Sequence, residues 1–432
     1  TIQAPTDSFT VSGSTLTFAS NLATGDVIDF IMVFGNSLSA GTPTDATVTT
    51  AKLADSAVTA AKITDATITA AKLASGTVQN QSAFKNILIN GDMSIAQRGT
   101  SFTSNGYGLD RFTMDESTDG AVTVTQDTTV PSGQGFAKSL KVDVTTADSS
   151  IAAAQYCGFT QFIEGQNLQY VKYGTSSAES LTLSFWVRST KTGTYCVRFV
   201  KEAGSGTRYE CPIEYTISSS DTWEKKTITL SPTAGSTSLI TATAGAIVNS
   251  NASGFRVFWT LAAGSNYQGT NNTWTSSTDQ MGTSNQVNFL DNTSNNFYIT
   301  GIQLEAGTSA SDFEFLPFDV NRDRCIRYFL AVGKTDGQIH NVVMNGYLST
   351  ICYGSFQLEK KMRSTPSLTF VTTDKQLYNN GNSRTISSLN ASSMSSQSLA
   401  FNIGGSGWSA GESLHFNNVD QTNGFCQVSA EL

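Results

Sequence analysis

The chain has 432 residues and a formal net charge of −8, with no cluster of Lys and Arg, which argues against nucleic-acid binding. Charged residues make up only 14%, against about a quarter in ordinary domains, while 25 phenylalanines set the chain apart from disordered sequences. No apolar run approaches the roughly 18 residues of a membrane span, so the composition points to globular β domains with polar, uncharged surfaces.

No secretory leader pattern opens the chain, and Thr1 in place of Met points to removal of an initiator or an upstream segment. Residues 1–40 form a first unit. "SFTVSGSTLTFAS" alternates around Ser12–Gly13, which predicts a hairpin, and "GDVIDFIMVFG" predicts a further strand. So short a segment is too small to fold well alone and implies a partner chain.

Residues 41–80 repeat a decapeptide: DATVTTAKLA, DSAVTAAKIT, DATITAAKLA. Large apolar residues recur every five positions, at Val48, Leu53, Val58, Ile63, Ile68, Leu73 and Val78. A helix turns such positions too far apart for a stripe, and a strand sends them to alternate faces, because five is odd. The unit must therefore change direction within each repeat. One large apolar residue in five cannot bury itself in a lone chain; three copies around an axis supply the missing surface. The spacing predicts a thin trimeric stalk. A flexible Thr/Ala-rich linker and a short pentapeptide-type coil are the alternatives.

Residues 81–323 carry short alternating segments with turn signals between them. "LTLSFWVRS" (Leu181–Ser189), "GTYCVRFV" (Gly193–Val200), "WEKKTITL" (Trp223–Leu230), "GFRVFWTLA" (Gly254–Ala262) and "NFYITGIQLE" (Asn296–Glu305) predict strands of an antiparallel sandwich. Trp186, Trp223 and Trp259 fall on these segments and are expected in the core. Residues 324–432 restart the pattern with "GSFQLEKKMRSTPSLTFVTTD" and close on "FCQVSAEL", which predicts a distal β tip.

"KNILINGDMSIAQRGTSFTSNGYGLDRFTM" (Lys85–Met114) resembles the opening of a carbohydrate-binding-module-like jelly-roll domain common in bacteriophage tail fibres. "FYITGIQLEAGTSASDFEFLPFDVNRDRCIRYF" (Phe297–Phe329) is similar to the other end of that domain. The repeat and the "FTVSGSTLTFAS" segment also resemble marine-type phage fibre proteins, and the M-R-x-T-P element at Met362–Pro366 is similar to one that recurs in fibre tips. The likeness covers about three quarters of the chain and specifies a virion fibre more than it specifies a ligand. It implies an all-β trimeric fibre: an N-terminal β knob, a thin repeat stalk, an antiparallel jelly-roll sandwich and a distal β-sandwich tip. Such a fibre is a virion protein made in the host cytoplasm. It would join phage tail or adaptor proteins on its N-terminal side and hold a host glycan or outer-membrane receptor multivalently. A purely structural virion spacer is the alternative.

Enzyme chemistry finds no support in the residues. Asp110 with Asp115, or Glu305 with Glu314, can be drawn as carboxylate pairs, but a turn or solvated role suits each better. His340 and His415 lie outside any nucleophile-elbow pattern, and Cys157, Cys196, Cys211, Cys325, Cys352 and Cys426 form no CxxC pair. These cysteines read as reduced structural thiols. Jelly rolls of this kind often hold a structural calcium, which would draw on Asp92 and Glu305; pairing of these acids with Arg98 and Arg111 is the duller reading. No metal or cofactor is assigned. Sugar binding needs an aromatic face beside amides and hydroxyls. Tyr267 and Trp274, Tyr170 and Tyr173, and in the tip Tyr378, Asn380 and Trp408, are the candidates. Burial of the rings in a core or trimer contact is the competing reading.

Overall fold

The structure is a computed structural model. It describes residues 8–29, 84–103, 105–202, 207–277, 279–332, 342–370, 375–379, 382–418 and 426–432, with isolated positions between 48 and 63. Two compact units divide the chain, residues 1–74 and 75–432.

In the first unit, β1 (Phe9–Ser12) and β2 (Thr15–Phe18) pair antiparallel, with Phe9 opposite Phe18. Gly13, at φ 61°, supplies the left-handed turn that an L side chain would resist. The further strand expected at 25–35 falls mostly outside the described residues, and the described part, 25–29, is not a strand. In the repeat, Val48, Leu53, Val58 and Ile63 are each exposed in the single chain. Ile68, Leu73 and Val78 lie outside the described residues.

The second unit begins with two six-stranded antiparallel sheets packed face to face. The first runs β11-β10-β13-β8-β5-β4 and the second β12-β9-β14-β7-β6-β3. Their ranges are β3 Ser101–Phe102, β4 Gly106–Tyr107, β5 Thr113–Ser117, β6 Ala121–Asp127, β7 Ser139–Thr146 and β8 Tyr156–Glu164. Then follow β9 Leu181–Ser189, β10 Gly193–Lys201, β11 Tyr209–Ile217, β12 Glu224–Leu230, β13 Ser253–Ala263 and β14 Asn296–Ala306. Alternation aims Leu181, Leu183, Phe185 and Val187 of β9 into the core. Trp259 stacks on Phe159 at 5.3 Å and meets the edge of Phe185 at 6.3 Å. Burial of each large core side chain contributes roughly 1.5–3 kcal/mol.

The two bracketing motifs lie side by side. Asn86 Nδ2 donates to the Ile302 carbonyl at 2.9 Å, Ile87 N to the Leu304 carbonyl at 2.8 Å, and Ile302 N to the Gly91 carbonyl at 2.9 Å. A Cβ on Gly91 would sit 2.0 Å from the Ile302 carbonyl oxygen, so only glycine permits this approach. The N-x-L-x-N-G-D element thus closes the sandwich against Q-L-E.

After the sandwich, α1 (Phe318–Ile326) starts behind Pro317, with Asp319 in its first turn and Arg324 in its last, each sign suited to its end of the helix dipole. The boundary expected at 323/324 falls inside this helix. Beyond it lie β15 Phe329–Val332, β16 Val342–Leu348, β17 Ile351–Gln357 and β18 Ser367–Phe370. The chain ends with β19 Lys375–Asn379, β20 Asn382–Met394, β21 Ser398–Ser406, β22 Ser413–Asn418 and β23 Cys426–Ser429. The tip expected as a β-sandwich is instead a closed six-stranded barrel, β16-β17-β21-β20-β19-β22, beside a small β15-β23-β18 sheet. Closure gives each of the six strands a neighbour on both sides.

Polar side chains fasten these parts of the second unit together. Glu164, fully buried at the end of β8, accepts from Arg327 Nε and Nη2, both at 2.7 Å, and from the Tyr328 hydroxyl at 2.5 Å. Burial pushes the Glu164 carboxyl up, but these bonds outweigh it and leave the group below its ordinary range. A depressed folded pKa contributes stability above the unfolded value of about 4.3, and loses it as pH falls through the folded one. Wild-type protein is therefore expected to lose a stability increment below about pH 4 that Glu164→Gln lacks at every pH. Urea midpoints from pH 2 to 7 would show it; parallel profiles for the two proteins would contradict it.

Candidate functional site

The structure removes three of the seven sugar-binding candidates. Trp274 is 1% exposed, and its Nε1 donates to the Ser231 carbonyl at 2.8 Å. Tyr173 is buried edge-on to Phe255 at 6.2 Å. Trp408 is buried in the barrel core, with Nε1 donating to the Leu348 carbonyl at 2.9 Å. A ring with both faces packed has none left for a sugar. The segment that carries Tyr267 and Trp274 covers the sheet edge: Thr275 exchanges backbone hydrogen bonds with Glu210, and Trp274 turns inward beneath it. Tyr170 is exposed in a 3-10 turn, Gly165–Val171. Tyr378 lies on β19 opposite Ser383 and His415, while Asn380 and His340 lie outside the described residues.

The strand tryptophans divide differently from expectation. Trp259 is core, but Trp186 and Trp223 are only half-buried on the outer side of the second sheet. There Trp223 stands 6.2 Å from Tyr298, which is flanked by Arg188 at 5.1 Å and Lys141 at 5.4 Å. Alternation explains this: Trp186 shares the outward parity of Arg188, opposite to Phe185 and Val187.

Tyr267 remains half-exposed and gains a companion that the sequence did not reveal. Its ring meets Tyr156 at 5.0 Å and 74°, and the Tyr156 hydroxyl donates to Asp115 Oδ1 at 2.8 Å. Antiparallel pairing of β5 with β8 sets Ser117 opposite Tyr156 and Asp115 opposite Gly158. A 3-10 turn, Ser265–Tyr267, carries the other ring and is pinned by Asn266 N to the Ala153 carbonyl at 3.0 Å and Met281 N to the Tyr267 carbonyl at 2.8 Å. Burial, then the Asp115 hydrogen bond and charge, raise the Tyr156 pKa above its ordinary value, so the phenol stays a donor. Two fixed, half-exposed rings thus share a ledge with a carboxylate and with the exposed Ser117 and Asn266. Such a ledge offers C–H stacking and acceptor groups to a polyol.

The remaining acids are taken up locally. Asp110 accepts from Gln97 N and Nε2 at 2.6 and 2.7 Å, and Glu314 from Phe84 N and Asn86 N. Asp92 accepts from Asn321 Nδ2 at 3.0 Å, and Glu305 from Ser311 N and Oγ at 2.8 and 2.7 Å. Arg98 and Arg111, expected as partners of Asp92 and Glu305, pair instead with Glu431. Among the described residues no three His, Cys, Asp or Glu gather as a metal site. Cys157, Cys196, Cys211, Cys325 and Cys352 are buried thiols outside any disulfide. Two cavities, one beside Asn86, Asp92 and Arg324 and one beside Phe102, Phe112 and Phe159, have volumes near 10 Å³ each, about one water, so a sugar-sized ligand would lie on the surface rather than in either.

No protein-family model and no curated protein matches the sequence. Among solved structures the chain is similar to the enzymatically active domain of bacteriophage CBA120 tailspike protein 4, at 14% identity and a TM-score of 0.29. That likeness covers 52% of this chain, which spans only 22% of the tailspike chain. It is also similar to a family 11 carbohydrate-binding module of a Clostridium thermocellum cellulase, at 11% identity, 49% of this chain, 98% of the module and a TM-score of 0.25. The C-terminal family 22 carbohydrate-binding module of Clostridium thermocellum Xyn10B matches at 14% identity, 49% of this chain, 98% of the module and a TM-score of 0.26. The neighbours thus include a phage tailspike domain and carbohydrate-binding modules.

Proposed function

We propose that this protein is a virion fibre adhesin that holds a host surface glycan multivalently as a homotrimer. The observation that carries the reading is the Tyr156–Tyr267 ledge with its Asp115 carboxylate. Fixed aromatic faces beside oxygen acceptors suit the C–H and hydroxyl faces of a sugar ring. Three copies per fibre combine weak sites through effective concentration. The exposed Val48, Leu53, Val58 and Ile63 support assembly through the repeat, since apolar ladders of this kind seek a partner surface. Tail or adaptor proteins would hold the N-terminal side. Burial of Trp274, Tyr173 and Trp408 favours the rival reading of a structural spacer.

Host-cell binding by the full chain discriminates between them. Tyr156→Ala with Tyr267→Ala is expected to weaken each sugar contact on the order of tenfold, with unfolding temperature little changed. Cell binding equal to wild type would remove the ledge from the adhesin reading, and absence of binding by wild type would support the spacer. Mass in solution is expected to correspond to three 46.0 kDa chains, and to fall when residues 41–80 are deleted.

A further inference from the structure

A second surface lies on the barrel, far in sequence from the ledge. Met344, Gly346, Cys352, Gly354, Phe401 and Ile403 are buried, so their strand neighbours face outward. Ladder pairing places Ser413, Asn345, Tyr353, Asn402 and Asn390 in one row across β22, β16, β17, β21 and β20. At the usual strand spacing the row runs roughly 19 Å around the barrel. Tyr353 is 41% exposed, and Tyr347, 64% exposed, stands edge-on to it at 5.6 Å. Asn390 Nδ2 donates to Asn402 Oδ1 at 3.4 Å, the long bond of amides free to turn to another partner. The next row adds Ser355, Ala400 and Ser393. None of these outward residues is an acid, a lysine, an arginine or a histidine, in a chain of net charge −8.

We propose that this face of the barrel binds a neutral oligosaccharide. Each asparagine amide offers both a donor and an acceptor, which matches vicinal hydroxyls, and each tyrosine offers a stacking face. An ionised ligand would lose its hydration here with no opposite charge to replace it. Asn345, Tyr353 and Asn402 sit where their strands are paired on both sides, which leaves no backbone edge for an added peptide strand at the centre of the row. A second copy of the chain fits the face less well, because exposed Asn and Ser outnumber the aliphatic Val343 and Leu348. The inference takes its setting from the adhesin reading, but its residues are separate from the Tyr156–Tyr267 ledge.

Isothermal titration of the full chain with β-1,4-gluco-, β-1,3-gluco- and α-1,6-manno-oligosaccharides, and with an oligogalacturonate, tests it. At least one neutral probe is expected to bind. Tyr353→Ala and Asn402→Ala should each weaken that binding on the order of tenfold, Tyr353→Phe should retain it, and Tyr156→Ala with Tyr267→Ala should leave the barrel component unchanged. Both Tyr353 and Asn402 are on the outer surface, so thermal unfolding is expected to stay near wild type. Binding lost only with the ledge variants would overturn the barrel proposal and keep the adhesin reading. Preference for oligogalacturonate, or no Tyr353-dependent binding of any neutral probe, would also overturn it. So would a fall in solution mass on joint Tyr347→Ala and Tyr353→Ala substitution without change in sugar binding, which would assign the face to a second copy. Loss of host-cell attachment by wild type is the separate outcome that sinks the adhesin reading itself.

Discussion

Glu210→Ala is expected to destabilise the second unit by about 3–5 kcal/mol, the cost of leaving a buried charge unpaired. The Glu210 side chain is fully buried, and it accepts from Arg198 Nε and Nη2 at 3.0 and 2.5 Å. Arg208 Nε lies 2.8 Å away, and Gln280 N donates to the same carboxylate at 2.8 Å. Its loss leaves two guanidinium groups facing one another, with the half-exposed Asp279 beside them. The same carboxylate fastens the segment that carries Tyr267, so ligand binding at the ledge should weaken as well. Replacing Arg198 and Glu210 together by Met and Leu should recover most of the stability, since an apolar pair of similar volume avoids both desolvation costs. Urea denaturation of the two variants gives the comparison. A loss below about 1 kcal/mol for Glu210→Ala, the level of an exposed pair, would show that water reaches the site.

Arg111→Ala should cost a comparable amount, about 3–5 kcal/mol, at the join between the sandwich and the β15-β23-β18 sheet. Arg111 is almost fully buried, pairs with Glu431, donates to the Phe162 carbonyl at 2.6 Å and lies 3.5 Å over the Tyr328 ring. Burial works against its charge, but Glu431 and the neighbouring phenols hold its pKa above the ordinary value. Its backbone, at φ 72°, occupies the left-handed region. The side-chain bonds therefore stabilise a conformation that costs an ordinary residue about 1–2 kcal/mol. Arg111→Gly relaxes that backbone cost, so it should be less destabilising than Arg111→Ala by about 1 kcal/mol. Equal losses in thermal unfolding would remove backbone strain from the account and leave the ion pair alone.

Several features were legible because they depend on local periodicity. The alternation of "LTLSFWVRS" defines β9 from Leu181 to Ser189, and "NFYITGIQLE" defines β14 to within one residue. Ser12–Gly13 marked the hairpin, displaced by one position, because glycine is the residue that tolerates the turn. Other features had no local signal. The helix α1 scatters Phe318, Val320, Cys325 and Ile326 among five polar residues and buries only Asn321, Cys325 and Ile326, so no apolar stripe announced it. The tip's strands were visible as strands, but whether six of them close or stack depends on which pairs with which.

The site shows the same division. Tyr267 was identified because it stands among amides and hydroxyls, yet Trp274 stands in the same segment and is buried. Tyr156 was passed over, because a tyrosine opening an apolar strand resembles core. Composition and period by themselves determined an all-β chain with uncharged polar surfaces, the sandwich strands, and a repeat whose apolar ladder has no face of its own. Only the tertiary structure decided which aromatic rings reach solvent, that Arg111 holds Glu431, and that the barrel closes with an uncharged amide face outward. The physical reason is that parity along a strand is local, whereas exposure depends on what a distant segment lays over it.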